Sequence, residues 1–426
     1  MSFPRYTKYK ESGVEWLGQV PEHWSSIRYK NVFAEKDSVV GSTYPAGSIS
    51  YGRVVFKDDA FLHEPTKASY QEVMAGEFLI NPINLNYDLK SLRTALSDIN
   101  TRVSPAYIVL KAKAASDHNY LKHQLHVFDL YHMKTLGAGV RQTITFGDIG
   151  GCFTVLPPLP EQTVIAEFLD RETAKIDGLI TEQERLIELL KEKRQAVISH
   201  AVTKGLNPDA PMRDSGIEWL GQVPEHWAVE RGRFLFRKLD TPPEPEDGVV
   251  TAFRDGQVTL RENRRTEGFT LAFLEVGYQR VREGDLVIHG MDAFAGAIGV
   301  SESTGKCTPE YSVMTPARPG IDNRYFARIL RLMAQRNYVF VICPSVRERA
   351  PRFRFEAFKD IPLPVPPLEE QQKIIHLIES VITETNILAA EAQKAIALLQ
   401  ERRSALISAA VTGQIDVRPL LDKQAA

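Results

Sequence analysis

Residues 161–204 and 370–412 contain no internal proline and repeat apolar residues at alternating spacings of four and three, which predicts two long helices that pair as a coiled coil. In the first, the expected seam runs Ile165, Leu169, Glu172, Ile176, Leu179, Gln183, Leu186, Leu190, Lys193 and Val197. In the second it runs Ile374, Ile378, Val381, Thr385, Leu388, Ala392, Ala395, Leu399, Arg402 and Leu406. Glu161 and Glu370 face the positive dipole ends at the starts, while Gly205 with Pro208, and Gly413 with Pro419, supply the stops. At ~1.5 Å per residue each helix extends roughly 65 Å, longer than a small domain is wide, so it needs a partner along its length. Residues 25–156 and 228–365 differ: short β-branched runs such as Tyr107–Leu110 and Asp285–Ile288, set among glycine, proline and aromatic residues, read as strands mixed with helices.

The chain contains itself twice. Ser12–Trp24 reads SGVEWLGQVPEHW and Ser215–Trp227 reads SGIEWLGQVPEHW, differing only at Val14 against Ile217. PPLPEQ at 157–162 matches PPLEEQ at 366–371, and AVISHAVT at 196–203 matches ALISAAVT at 405–412. Two equivalent helices related by a pseudo-twofold axis are antiparallel. The expected architecture is two duplicated α/β globular domains separated by a long antiparallel two-helix coiled coil, with bounds 1–156, 157–207, 208–365 and 366–426. Two globular parts at a set separation make a ruler for a linear polymer such as DNA. Residues 44–56 bear little likeness to 249–261, so the two parts are expected to read different sequences.

Composition changes this picture little. A chain of 426 residues, 43% hydrophobic and 25% charged, holds about three units at ~150 residues each. It has no apolar run of eighteen residues to cross a bilayer and no visible secretory signal, so a cytoplasmic protein without membrane contact is expected. Cys152, Cys307 and Cys343 are too scattered for a disulfide framework or a paired zinc motif. A net charge of -2 does not mark a nucleic-acid binder, so charge is read by region. Residues 228–365 hold 21 Lys or Arg against 18 Asp or Glu, and only Lys238, Lys306 and Lys359 are lysine, a preference suited to phosphate and guanine recognition. In 25–156 the bias is weaker, 14 against 12.

The PPLPEQ and PPLEEQ starts before long helices, the two EWLGQVPEHW segments and the run GDLVIHGMDAFAGAIGVS at 284–301 resemble the specificity subunit of type I restriction–modification systems, over essentially the whole chain. The resemblance implies two target-recognition domains, each reading one half of a split, asymmetric site on double-stranded DNA, with the coil setting the spacer. It also implies docking of two modification (methyltransferase) subunits and of ATP-driven restriction subunits. S-adenosylmethionine, ATP and Mg are then expected on those partners, and no cofactor in this chain.

Arginine matches guanine edges, and Asn or Gln matches adenine, through bidentate geometry. On that basis the candidate DNA contacts are Arg53, Asn84, Asn86, Lys90, Arg93, Arg141 and Gln142 in the first half. In the second they are Arg254, Arg261, Arg264, Arg265, Arg347, Arg349, Arg352 and Arg354. Trp16, Leu17, Trp24, Trp219, Leu220 and Trp227 fit either a core or a subunit interface.

No catalytic residue is expected. Asn81-Pro82-Ile83-Asn84 lacks the second proline and the aromatic of an amino-methyltransferase loop, and Ser303-Thr304-Gly305-Lys306 lacks a phosphate loop's first glycine. His118, His123, His126 and His132 fall on one predicted helix, where ordinary packing accounts for them and no metal site is expected. The alternative class is a non-enzymatic duplicated scaffold that binds protein or glycan; a stand-alone methyltransferase or nuclease is a third.

Overall fold

The computed structural model describes residues 3–14, 16–50, 52–60, 62–83, 93–113, 116–136, 143–264, 276–343 and 352–422. The helices used below are α1 (His118–Phe128), α2 (Leu159–Lys204), α3 (Asn323–Gln335) and α4 (Leu368–Val411). The chain divides into two units, residues 1–184 with 393–426 and residues 185–392, so each unit takes the start of one long helix and the end of the other.

In unit 1 a six-stranded sheet runs in the order Phe33–Glu35, Ile108–Ala112, Phe78–Ile80, Thr94–Leu96, Arg53–Phe56, Gly47–Ser50. All neighbours are antiparallel except Arg53–Phe56 with Thr94–Leu96. Its Phe33, Phe78 and Leu110 join Tyr120, Leu121, Leu125 and Phe128 of α1 in one core, which continues into Ile165 and Leu169 of α2 and Leu406 and Ile407 of α4. Unit 2 repeats the plan with four antiparallel strands in the order Phe236–Lys238, Tyr311–Pro316, Leu286–His289, Ile298–Val300. There α3 buries Tyr325, Phe326, Ile329, Leu330 and Met333 against Phe236 and Phe358. The runs expected as strands near 107–110 and 285–288 are strands.

The duplication extends to the hydrogen bonds that tie the helices together. Each short helix opens on an aspartate cap, Asp117 accepting from the Tyr120 N–H at 3.0 Å and Asp322 from the Arg324 N–H at 2.9 Å. The cap residues' own N–H groups donate to Gln162 Oε1 (3.1 Å) and Gln371 Oε1 (2.9 Å), the glutamines of PPLPEQ and PPLEEQ. Tyr120 Oη donates to the Val411 carbonyl and Tyr325 Oη to the Val202 carbonyl. Each short helix is thereby bonded to the start of one long helix and the end of the other.

The repeated tryptophan segment explains itself by the same geometry. Strand Ser25–Arg28 pairs with Phe153–Leu156, and Ala228–Arg231 with Pro362–Val365, which sets each EHW turn against the first turn of a long helix. Trp24 Nε1 donates to Glu161 Oε1 at 3.1 Å, and Trp227 Nε1 to Glu370 Oε2 at 3.1 Å, with His23 and His226 each 2.8 Å from the same carboxylate. Past the other helix end, Gly413 and Gly205 take positive φ, and a Cβ there would lie 3.2 Å from the Trp24 or Trp227 ring. Glutamate at the start is thus more than a dipole partner. It is the anchor of a tryptophan that clamps two helix ends together.

Within unit 1 the start of α2 lies antiparallel to the end of α4, with Arg403 Nε 2.9 Å from Asp177 Oδ1. Within unit 2 the end of α2 lies antiparallel to the start of α4, with Arg194 Nη1 donating to Asn386 Oδ1 at 3.0 Å. The seam corrects the expected frame. Ile176, Leu190 and Val197 face inward, but alternate positions lie one residue later than expected, at Thr173, Ile180, Ile187 and Arg194, and Leu179, Leu186 and Lys193 are exposed. The same slip occurs in α4, where Ile382, Ala389, Ile396 and Arg403 replace Val381, Leu388, Ala395 and Arg402. Doublets such as Leu179-Ile180 and Leu186-Ile187 satisfy either frame, so the apolar count did not separate them.

Candidate nucleic-acid interface

Of the residues expected at DNA, Asn84, Asn86, Lys90, Arg141, Gln142, Arg265, Arg347 and Arg349 lie outside the described residues. Arg93 is buried at 7% exposure, with its backbone N–H donating to Asp129 Oδ2 at 2.8 Å. Arg53 begins a strand of the unit 1 sheet and projects into solvent, 4.0 Å from Asp177. In unit 2, Arg254, Arg261 and Arg264 surround the hairpin of Val250–Ala252 and Val258–Leu260. Arg254 Nη2 donates to Asp292 Oδ1 at 2.9 Å, Arg261 Nε to Thr251 Oγ1 at 3.4 Å, and Arg264 lies 2.7 Å from Asp255 and 4.2 Å over the Phe253 ring. Arg352 and Arg354 share Glu310, at 3.6 and 3.1 Å. A guanidinium has five N–H donors and a carboxylate engages at most two, so Arg254, Arg264, Arg352 and Arg354 are oriented by their carboxylates with donors to spare for phosphate or a guanine edge.

Of the six residues that fit either core or interface, Trp24, Trp227, Leu17 and Leu220 lie in the cores of their units, and Trp16 and Trp219 are half-buried. Trp16 stacks on His132 at 5.8 Å and Trp219 tilts against Tyr338 at 5.8 Å. Trp16 and Leu17 also line a shallow pocket with Tyr131, Ala409 and Gln414.

A second polar region was missed by sequence reasoning. Where α1 meets the long helices in unit 1, a cavity of about 160 Å³ is lined by Arg53, Lys122, His123, His126, Asp170, Asp177 and Arg403 among others. Each of its cations faces a carboxylate: Lys122 Nζ and His123 Nε2 lie 2.8 and 3.0 Å from Asp170, while Arg403 and Arg53 face Asp177. Burial alone would raise the Asp170 carboxyl, but bonds from His123 and Lys122 hold it at about 2. Burial, then Arg403 and His123, pull the His126 imidazole down to about 3, and neither ring nitrogen has a partner among the described residues.

The corresponding place in unit 2 carries different chemistry. Counting from the aspartate caps, Arg328 and Arg331 of α3 stand where His123 and His126 stand on α1. Arg194 replaces Arg403, Glu379 replaces Asp170 and Asn386 replaces Asp177. Glu379 is engaged by Arg324 at 3.4 Å and Asp255 by Arg264. The available signal was the four-then-three spacing of Arg324, Arg328 and Arg331, which puts them on one helix face. Among the described residues no group of three or more His, Cys, Asp or Glu is placed to hold a metal ion, and no helix is long and apolar enough to cross a membrane.

Residues 290–398 match the family model described as type I restriction modification DNA specificity domain. The chain is 24% identical over 290 residues to the EcoBI specificity subunit of Escherichia coli, covering 61% of this chain and 58% of that protein. It is 21% identical over 293 residues to the EcoDI specificity subunit of Escherichia coli, covering 63% and 64%. The chain thus spans less than two thirds of the length of these relatives. A solved chain from work on complex assembly and conformational transition of the type I R-M system superposes with a TM-score of 0.56 at 15% identity, covering 92% of this chain and 98% of that one, a likeness of fold. Residues 290–398 are thus similar to a type I restriction modification DNA specificity domain, and a longer stretch of the chain is similar to the specificity subunits of type I restriction enzymes.

Proposed function

We propose that this protein is the non-catalytic DNA-recognition subunit of a type I restriction–modification complex in the cytoplasm. Each unit reads one half of a split, asymmetric duplex target, and the paired helices set the gap between the halves. The observation that carries this reading is the division of labour within the repeat. The tryptophan clamp, the aspartate caps and the helix seam are the same in both copies, whereas the arginine-bearing surfaces differ. A shared frame with unlike surfaces suits one mode of docking on two different sequences. Methyltransferase subunits carrying S-adenosylmethionine dock on the repeated regions and perform the modification, and restriction subunits use ATP and Mg. The half-buried Trp16 and Trp219 are the members of the repeated segment left to serve that docking.

The test is to sequence the methylated sites in cells carrying this protein with its modification partner, before and after inserting one helical turn at equivalent places in α2 and α4. We expect a bipartite motif whose half-sites persist while the unspecified gap grows by about one to two base pairs, since each turn adds ~5 Å against ~3.4 Å per base pair. Altered half-sites with an unchanged gap would overturn the spacer role. Methylation that does not depend on this chain would overturn the whole reading.

A further inference from the structure

Arg328 and Arg331 are half-buried, yet among the described residues neither guanidinium makes a hydrogen bond or an ion pair. The Arg331 group fills the space that a side chain at Gly256 would need, which holds it on the hairpin that also bears Arg254 and Arg264. Burial, then Arg328 and Arg194, pull the Arg331 guanidinium down to about 10 against the attraction of Asp255, and burial lowers Arg328 with Glu379 opposing and Arg194 adding to the fall. Three like charges are therefore gathered inside unit 2 beside acids that other arginines already engage. Glu379 and Asp255 offset this crowding only in part, and an added anion would relieve the rest.

We propose that Arg194, Arg328 and Arg331 form a site for one phosphodiester of the DNA backbone, and that unit 1 has no counterpart because each of its cations there is already paired with Asp170 or Asp177. The inference rests on the reading of the chain as a DNA-recognition subunit and adds to it. One backbone contact lies at the junction of α3 with the long helices, beside the hairpin that bears the exposed arginines, and fixes how unit 2 sits on the duplex without reading bases.

The experiment measures the affinity of the full-length protein for a 40-base-pair duplex carrying the methylated motif, across a series of KCl concentrations. R328Q/R331Q is expected to weaken binding and to reduce the slope of log affinity against log salt by ~0.9, the loss of one phosphate contact. R328K/R331K should keep the slope, which separates charge from packing, and near-UV circular dichroism establishes that each variant is folded. K122Q/H126Q in unit 1 should leave the slope at its wild-type value. A folded R328Q/R331Q protein with the wild-type slope overturns this site alone, whereas a wild-type protein that binds no duplex overturns the recognition reading as well. Inorganic pyrophosphate that raises the melting temperature of the wild type but not of R328Q/R331Q, with the slope unchanged in both, would assign the arginines to a small phosphate and likewise overturn the proposal.

Discussion

The two places where a short helix meets the paired long helices are built on one skeleton and carry opposite electrostatics. In unit 1, lysine, histidine and arginine each face an aspartate of the same unit, and the buried His126 is held neutral. In unit 2 the histidines are arginines, one aspartate is an asparagine, and three guanidiniums repel one another. A change at so few positions, with the caps and tryptophan clamps untouched, turns a self-sufficient packing contact into one that is short of negative charge. The lesson concerns where a duplicated protein keeps its stability and where it keeps its function. Bonds that recur in both copies hold the fold, and the site we propose lies where the charges do not recur.

The comparison breaks most readily at the clamps, where the copies are claimed to be equivalent. Trp24→Ala and Trp227→Ala each empty a buried indole site and remove one donor from a partly buried glutamate. Each should cost about 3–5 kcal/mol. Urea unfolding followed by circular dichroism should show the two losses within about 2 kcal/mol of each other; a larger gap means that only one clamp holds its unit.

A smaller, signed effect separates the two junctions. The His126 value of about 3 in the folded protein lies below the ~6.5 of an unfolded histidine, so between those values the unfolded chain binds the proton and the folded chain does not. The stability gained from keeping His126 neutral is complete above pH 6.5 and is lost as pH falls, by up to ~1.4 kcal/mol per pH unit. His123, lowered by burial, acts in the same direction. The wild type should therefore lose stability relative to His126→Gln between pH 6.5 and 4.5 in chemical denaturation. The unit 2 variant Arg331→Gln should show no such slope difference, because arginine stays charged throughout that range. Parallel pH curves for wild type and His126→Gln would mean that the imidazole is reached by solvent.

What could be read from residues alone divides along the same line. The helices, their bounds and the duplication were legible because they rest on periodicity and on near-identical words such as EWLGQVPEHW. The clamp's mechanism was not, since Glu161 and Trp24 are distant in sequence and their bond depends on a strand pairing that no local pattern announces. Nor was the arginine triad: Arg194 lies more than a hundred residues from Arg328, and each alone resembles a solvated surface charge. Arg93 shows the converse, a charged residue read as a surface contact that the fold places inside unit 1.

The finest contrast lies between adjacent residues of the long helices. Ile180 is half-buried in the seam while Leu179, 52% exposed, points away from it, and Ala389 and Leu388 repeat the arrangement in the other copy. Leu179→Ser should change stability by no more than about 0.5 kcal/mol, because the side chain lies outside the seam and is already half exposed. Ile180→Ala should cost about 1–2 kcal/mol, scaled to its partial burial. Thermal unfolding of the two variants decides the frame: a larger loss at Leu179 would restore the seam first read from the spacing. A loss at Ile180 alone means that β-branched residues line the seam and leucines are turned outward at equivalent places in both copies. Those leucines are then free to meet a partner without any cost to the pairing of the helices.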